Sequence, residues 1–112
     1  LSPPTVSKAV ASLLRSGLLE EADAPETARG RPAPRLRLAS ASAQVLGVAI
    51  DGGHCEIVSA GLDGEVHADL VTVPTPDTYP ALLDALEVAA RRLMARPGVT
   101  TLGLGVSLPG LV

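Results

Sequence analysis

Ser2, Pro4, Thr5, Ser7 and Lys8 gather side chains suited to close contact with a polyanion. Short hydroxyl side chains let a backbone approach a surface, and a Lys ammonium reaches either a guanine edge or a phosphate. Further along, Arg29-Gly30-Arg31-Pro32 sets two guanidiniums around a glycine that permits a tight tip and a proline that stiffens it. Guanidiniums on such a tip suit a phosphate backbone or a narrow minor groove. Taken singly, the first group fits an ordinary amphipathic surface helix and the second a solvated basic loop. Their order and spacing favour double-stranded DNA as the common ligand.

The elements that must position these groups can be read from the same stretch. Ser2 before Pro3-Pro4 is a helix start, because a Ser at the N-cap accepts an orphan N–H and Pro in the first turn loses no needed donor. Val6, Val10, Leu13 and Leu14 recur on one helical face, leaving Thr5, Ser7, Lys8, Ser12 and Arg15 on the other, and Gly17 stops the helix. Leu18-Leu19 reads as a short strand and Arg35-Leu36-Arg37-Leu38 as a second, with a polar, Pro- and Gly-bearing loop between them. Helix, strand, loop, strand is the second half of a winged helix-turn-helix, so residues 1–38 are expected to be part of a DNA-binding domain. Residues 39–44, Ala-Ser-Ala-Ser-Ala-Gln, are small and polar and read as a linker.

From residue 45 to 112 the pattern changes. Val45–Ile50 is an apolar run of strand length ending in Asp51-Gly52-Gly53, Cys55–Ala60 gives a second strand, and Val66–Val73 a third after the Asp63-Gly64 turn signal. Asp77 or Thr78 can cap a helix striped by Leu82, Leu83, Leu86, Ala89, Ala90 and Leu93 and ending near Arg96; Thr101–Leu108 then reads as a buried strand running into Pro109-Gly110. The order is β-β-β-α-β, and the whole is an α/β chain.

Charge divides in the same way. The chain carries a net charge of −3. The basic side chains Lys8, Arg15, Arg29, Arg31, Arg35 and Arg37 lie in the first part, whereas only Arg91, Arg92 and Arg96 balance the carboxylates of the second. Cys55 is the only cysteine, which excludes an intrachain disulfide and suits a reducing cytoplasm. No apolar run is long enough to span a bilayer, so no membrane partner is expected. Tyr79 is the only aromatic residue, leaving almost nothing for the base stacking used by single-strand and RNA binders.

Residues 1–19, Gly30-Arg31-Pro32, Leu46 to His54 and Gly103 to Val112 together resemble the ROK family of repressors, uncharacterised reading frames and sugar kinases. The resemblance implies an actin-like ATPase fold, the sugar-kinase-like domain, opening with the β-β-β-α-β order. The winged helix before it marks the regulator branch. It further implies a sugar-responsive, oligomeric repressor or activator, with an operator DNA and a sugar or sugar phosphate as partners. Family kinases carry an Asp-x-Gly-Gly-Thr phosphate loop after the first strand. In the register set by Leu46-Gly47-Val48, its Asp falls on Ala49, its glycines on Asp51 and Gly52, and its Thr on Gly53. A carboxylate at position 51 would repel a nucleotide phosphate, which argues against catalysis. A one-residue bulge would instead bring Asp51 into the catalytic register. His54 matches a His of the family's regulators or is a strand residue making an ordinary hydrogen bond. No cofactor and no metal are expected within these residues, and the family's structural zinc motif would lie after Val112. Both ends are expected to be truncated. The alternative function is an ATP-dependent sugar kinase with an accessory N-terminal segment.

Overall fold

The computed structural model describes residues 1–23 and 35–110. Helix α1 spans Pro3–Arg15, followed by strands β1, Leu19–Ala22, and β2, Arg35–Leu38. Then come β3, Ala43–Ile50, β4, His54–Ala60, β5, Val66–Pro74, helix α2, Tyr79–Met94, and β6, Thr100–Ser107. The expected element order is present throughout.

Ser2 occupies the N-cap of α1, but its hydroxyl hydrogen-bonds Thr5 Oγ1 at 2.8 Å instead of capping a backbone N–H. Gly17 ends the helix at a φ of 77°. Its N–H reaches Leu14 O at 3.2 Å while that of Leu18 reaches Leu13 O at 3.0 Å, the paired closure that a left-handed residue after the C-cap permits. The chain then enters β1, which pairs antiparallel with β2 from Leu19↔Leu38 to Ala22↔Arg35.

The larger sheet has the order β5-β4-β3-β6. β3, β4 and β5 form an antiparallel meander, and α2 carries the chain back so that β6 runs parallel to β3. Between β4 and β5 only Gly64 takes a positive φ, 87°. A two-residue type I′ turn would also need Asp63 there; instead the Asp63 carboxylate accepts the Glu65 N–H at 3.0 Å and Gly61 N–H bonds Glu65 O at 3.0 Å. Thr78, the nearer of the two expected caps, starts α2 by accepting the Ala81 N–H at 3.3 Å. Among the described residues no helix is long and apolar enough to cross a membrane.

Strand alternation puts Leu46, Val48, Cys55 and Ile57 on the face covered by α2, where Leu46, Val48 and Ile57 pack with Ala89 and Leu93 into the core. β3 starts earlier than its apolar run suggested. Ala43 and Gln44, expected in the linker, are buried; Gln44 Nε2 donates to Leu93 O and Thr101 Oγ1, both at 3.0 Å, while its Oε1 has no partner among the described residues. The two bonds of the amide nitrogen offset part of the cost of burying this side chain. α2 packs on β4 and β5, leaving Leu102, Leu104 and Val106 of β6 half-exposed on the same face.

Candidate functional site

Ser2, Pro4, Thr5, Ser7 and Lys8 are all exposed on α1. Helical geometry sets Pro4, Thr5, Lys8, Ser12 and Arg15 on the face opposite Val6, Val10 and Leu13, with Ser7 at its margin beside Leu14. Pro4 to Lys8 therefore offers one free polar surface whose only formal charge is the Lys8 ammonium. Arg29 and Arg31, with Gly30 and Pro32, lie outside the described residues.

Sequence reasoning missed the hub at the base of this unit. Glu20, on β1, directs its carboxylate back across the hairpin. Oε1 accepts Arg37 Nε at 2.7 Å and Ser40 Oγ at 2.9 Å, and Oε2 accepts the Ala41 N–H at 3.2 Å and Ser42 Oγ at 3.4 Å. Desolvation alone would push this carboxyl up, but the main-chain and hydroxyl donors of Ser40, the Ala41 N–H and Arg37 outweigh it and hold its pKa at about 2. A carboxyl depressed in the folded state stabilises it fully above its unfolded value of 4.5 and loses that contribution as pH falls towards about 2. The stability gap between wild type and Glu20→Gln in urea titrations is therefore expected to be widest at neutral pH and to shrink as pH falls through that window. A gap independent of pH would show that the charge contributes nothing. The period-two spacing of Ser40 and Ser42 was a signal in the sequence, but nothing local tied it to Glu20.

At the other end of β3, Ala49 lies on the face away from α2, in a shallow groove of about 480 Å³ with Gly47, Glu56, Val58, Gly105 and Ser107. Asp51 follows the strand. Its Oδ1 accepts the N–H groups of Gly53 at 2.7 Å and His54 at 2.8 Å. Those bonds, with the His54 imidazole as a smaller influence, hold the Asp51 carboxyl below its usual range. The loop that sequence reasoning treated as a place where Asp51 would repel a phosphate thus has two of its amides already occupied by that carboxylate. β3 pairs with β4 without a break from Val45 to Ile50, and its one irregularity against β6 lies between Gln44 and Leu46, away from Asp51. His54 stands between Asp51, 3.6 Å from Nδ1, and Glu56, 3.5 Å from Nε2. Thr75 Oγ1 donates to Asp51 O at 2.9 Å and contacts the buried Cys55 Sγ at 3.4 Å, fixing the loop from behind. Among the described residues no three His, Cys, Asp or Glu side chains gather as a metal site.

No protein-family profile matches the chain, and no curated protein sequence matches it. Among solved structures it is similar to the crystal structure of a ROK family transcriptional regulator, described as a homolog of the E. coli MLC protein. The TM-score is 0.66 and the identity 26%, over 100% of this chain and 29% of that one. The chain thus spans less than a third of that regulator's length. Its mixed α/β architecture, with its mixed sheet, is a ROK-like fold.

Proposed function

We propose that the chain is part of a sugar-responsive, DNA-binding transcription regulator, acting as a repressor. The observation that carries the reading is that the likeness to a protein described as a transcriptional regulator runs the length of this chain, helix and hairpin included. In this reading the exposed face of α1, with Pro4, Thr5 and Lys8, enters the major groove, with Ser2 and Ser7 at its edges. Arg29 and Arg31 meet the DNA backbone or minor groove. The sheet unit, α2 included, belongs to a sensor domain whose ligand, a sugar or sugar phosphate, shifts the balance between binding-competent and incompetent forms of a homo-oligomer. Cytoplasmic location follows from access to DNA.

The kinase alternative fares worse at the loop after β3. Ala49 stands where the family's resemblance puts the catalytic-loop Asp, and Asp51 consumes backbone donors that a phosphate would use. The regular pairing beside Ile50 offers no bulge to bring Asp51 into that register. The test is DNA binding by the full-length protein, selected on genomic fragments, with and without a panel of hexoses and their phosphates, alongside ADP release on the same sugars. Selective DNA binding that a sugar weakens is expected, with no ADP release. Turnover of about 1 s⁻¹ or more, in the ordinary kinase range, or the absence of any preferred DNA, would overturn the proposal.

A further inference from the structure

Residues 39–42, between β2 and β3, have the composition of a flexible tether, yet each is bonded into place. Ala39 is fully buried: its N–H donates to Leu18 O at 2.9 Å, continuing the β1–β2 ladder, and its carbonyl accepts the Leu62 N–H at 2.8 Å from the β4–β5 hairpin. Ser40 and Ala41 donate to Glu20. The Ser42 carbonyl accepts the Thr100 N–H at 3.0 Å at the start of β6. On the far side Gly61 presses against Ser40 so closely that a Cβ there would lie 2.9 Å from Ser40 Cα.

The segment is thus tied on one side to the helix-and-hairpin unit and on the other to the large sheet. Glu20, with only 14% of its side chain exposed, gathers Arg37, Ser40, Ala41 and Ser42 on one carboxylate. A charged acceptor makes stronger hydrogen bonds than a neutral one, and four donors on one carboxylate hold the chain in one path.

We propose that Glu20 is a latch that makes residues 39–42 a rigid coupler, fixing the direction of α1 relative to the large sheet so that a rearrangement of the sheet re-aims the helix. The rigid coupling stands on these contacts alone; only its consequence for DNA recognition rests on the function proposed above. The coupler has one partner from each unit at nearly every residue, which is what a two-state transmission element requires and a slack tether lacks.

The experiment uses the full-length protein with spin labels on ketone-bearing unnatural residues introduced at the exposed positions Ser12 of α1 and Glu87 of α2, a chemistry that spares every native cysteine; it is diluted with unlabelled protein so that distances within one protomer are read. Pulsed dipolar distances are recorded without DNA or sugar, so the outcome is independent of whether the protein binds either. Wild type is expected to give one narrow distance distribution and Glu20→Gln one about twofold broader, as released segments sample more arrangements. Ser40→Ala should fall between them. Should Glu20→Gln fail to fold, Gly61→Ala, which pushes the coupler from the opposite side and leaves the carboxylate intact, is expected to displace the distance maximum. An unchanged width in folded Glu20→Gln, a wild type already as broad as the variant, or an unmoved maximum in Gly61→Ala overturns the latch.

Discussion

Lys8→Ala in the full-length protein is expected to weaken operator binding by about 1 to 3 kcal/mol, roughly a fivefold to 150-fold loss, with a smaller loss on random DNA. Lys8 is exposed on the free polar face of α1, and Pro4 and Thr5 beside it are short enough to let the helix settle deeply into a groove. A Lys contacting a base edge discriminates between sequences, whereas one contacting only phosphate would lower affinity on both DNAs alike. Arg31→Ala is expected to behave in that second manner: similar weakening on specific and non-specific DNA, with the salt dependence falling by about one unit of slope because one phosphate's counterions are no longer released. Fluorescence anisotropy on both DNAs at several salt concentrations separates the two. Wild-type operator binding by both variants would leave α1 and the basic segment as ordinary surface.

What could be read from the sequence was whatever short-range chemistry determines. Pro3-Pro4 and Gly17 bracket α1 because first-turn prolines and left-handed residues act within a turn of their own position, although the Ser2 hydroxyl turns to Thr5 and not to a backbone N–H. The meander was legible because alternation along β4 reports its buried face directly, Cys55, Ile57 and Ser59 lying inward. The start of β3 was not legible. Ala43 and Gln44 look like linker residues, and what buries Gln44 is the end of α2 and the start of β6, distant in sequence. Glu20 shows the same limit, since all its donors but Arg37 come from beyond the hairpin and its local neighbours, Glu21 and Asp23, suggest only a solvated acidic run. At Asp51 the residue was flagged but its chemistry only half read. Repulsion of an incoming anion was foreseen, whereas capture of the loop's own amides depends on a turn geometry that charge alone does not specify.

The same alternation sets the largest expected effect on stability. Ile57 is fully buried and lies at the centre of the cluster with Leu46, Val48, Ala89 and Leu93, joining β3 and β4 to α2. Ile57→Ala removes apolar contacts and leaves a cavity in the layer between sheet and helix, a change that costs about 2 to 5 kcal/mol in comparable cores. A domain of this size has only about 5 to 15 kcal/mol in total, so the variant is expected to lose a large share of it. Val58, the next residue, faces the opposite side of the sheet and is only half-buried; Val58→Ala is expected to cost about 1 kcal/mol or less, as the transfer of so little surface implies. Urea titrations of the full-length protein would show a midpoint well below wild type for Ile57→Ala and one near it for Val58→Ala, with similar slopes. Equal losses from the two substitutions would mean that α2 does not cover the face of the sheet that carries Ile57.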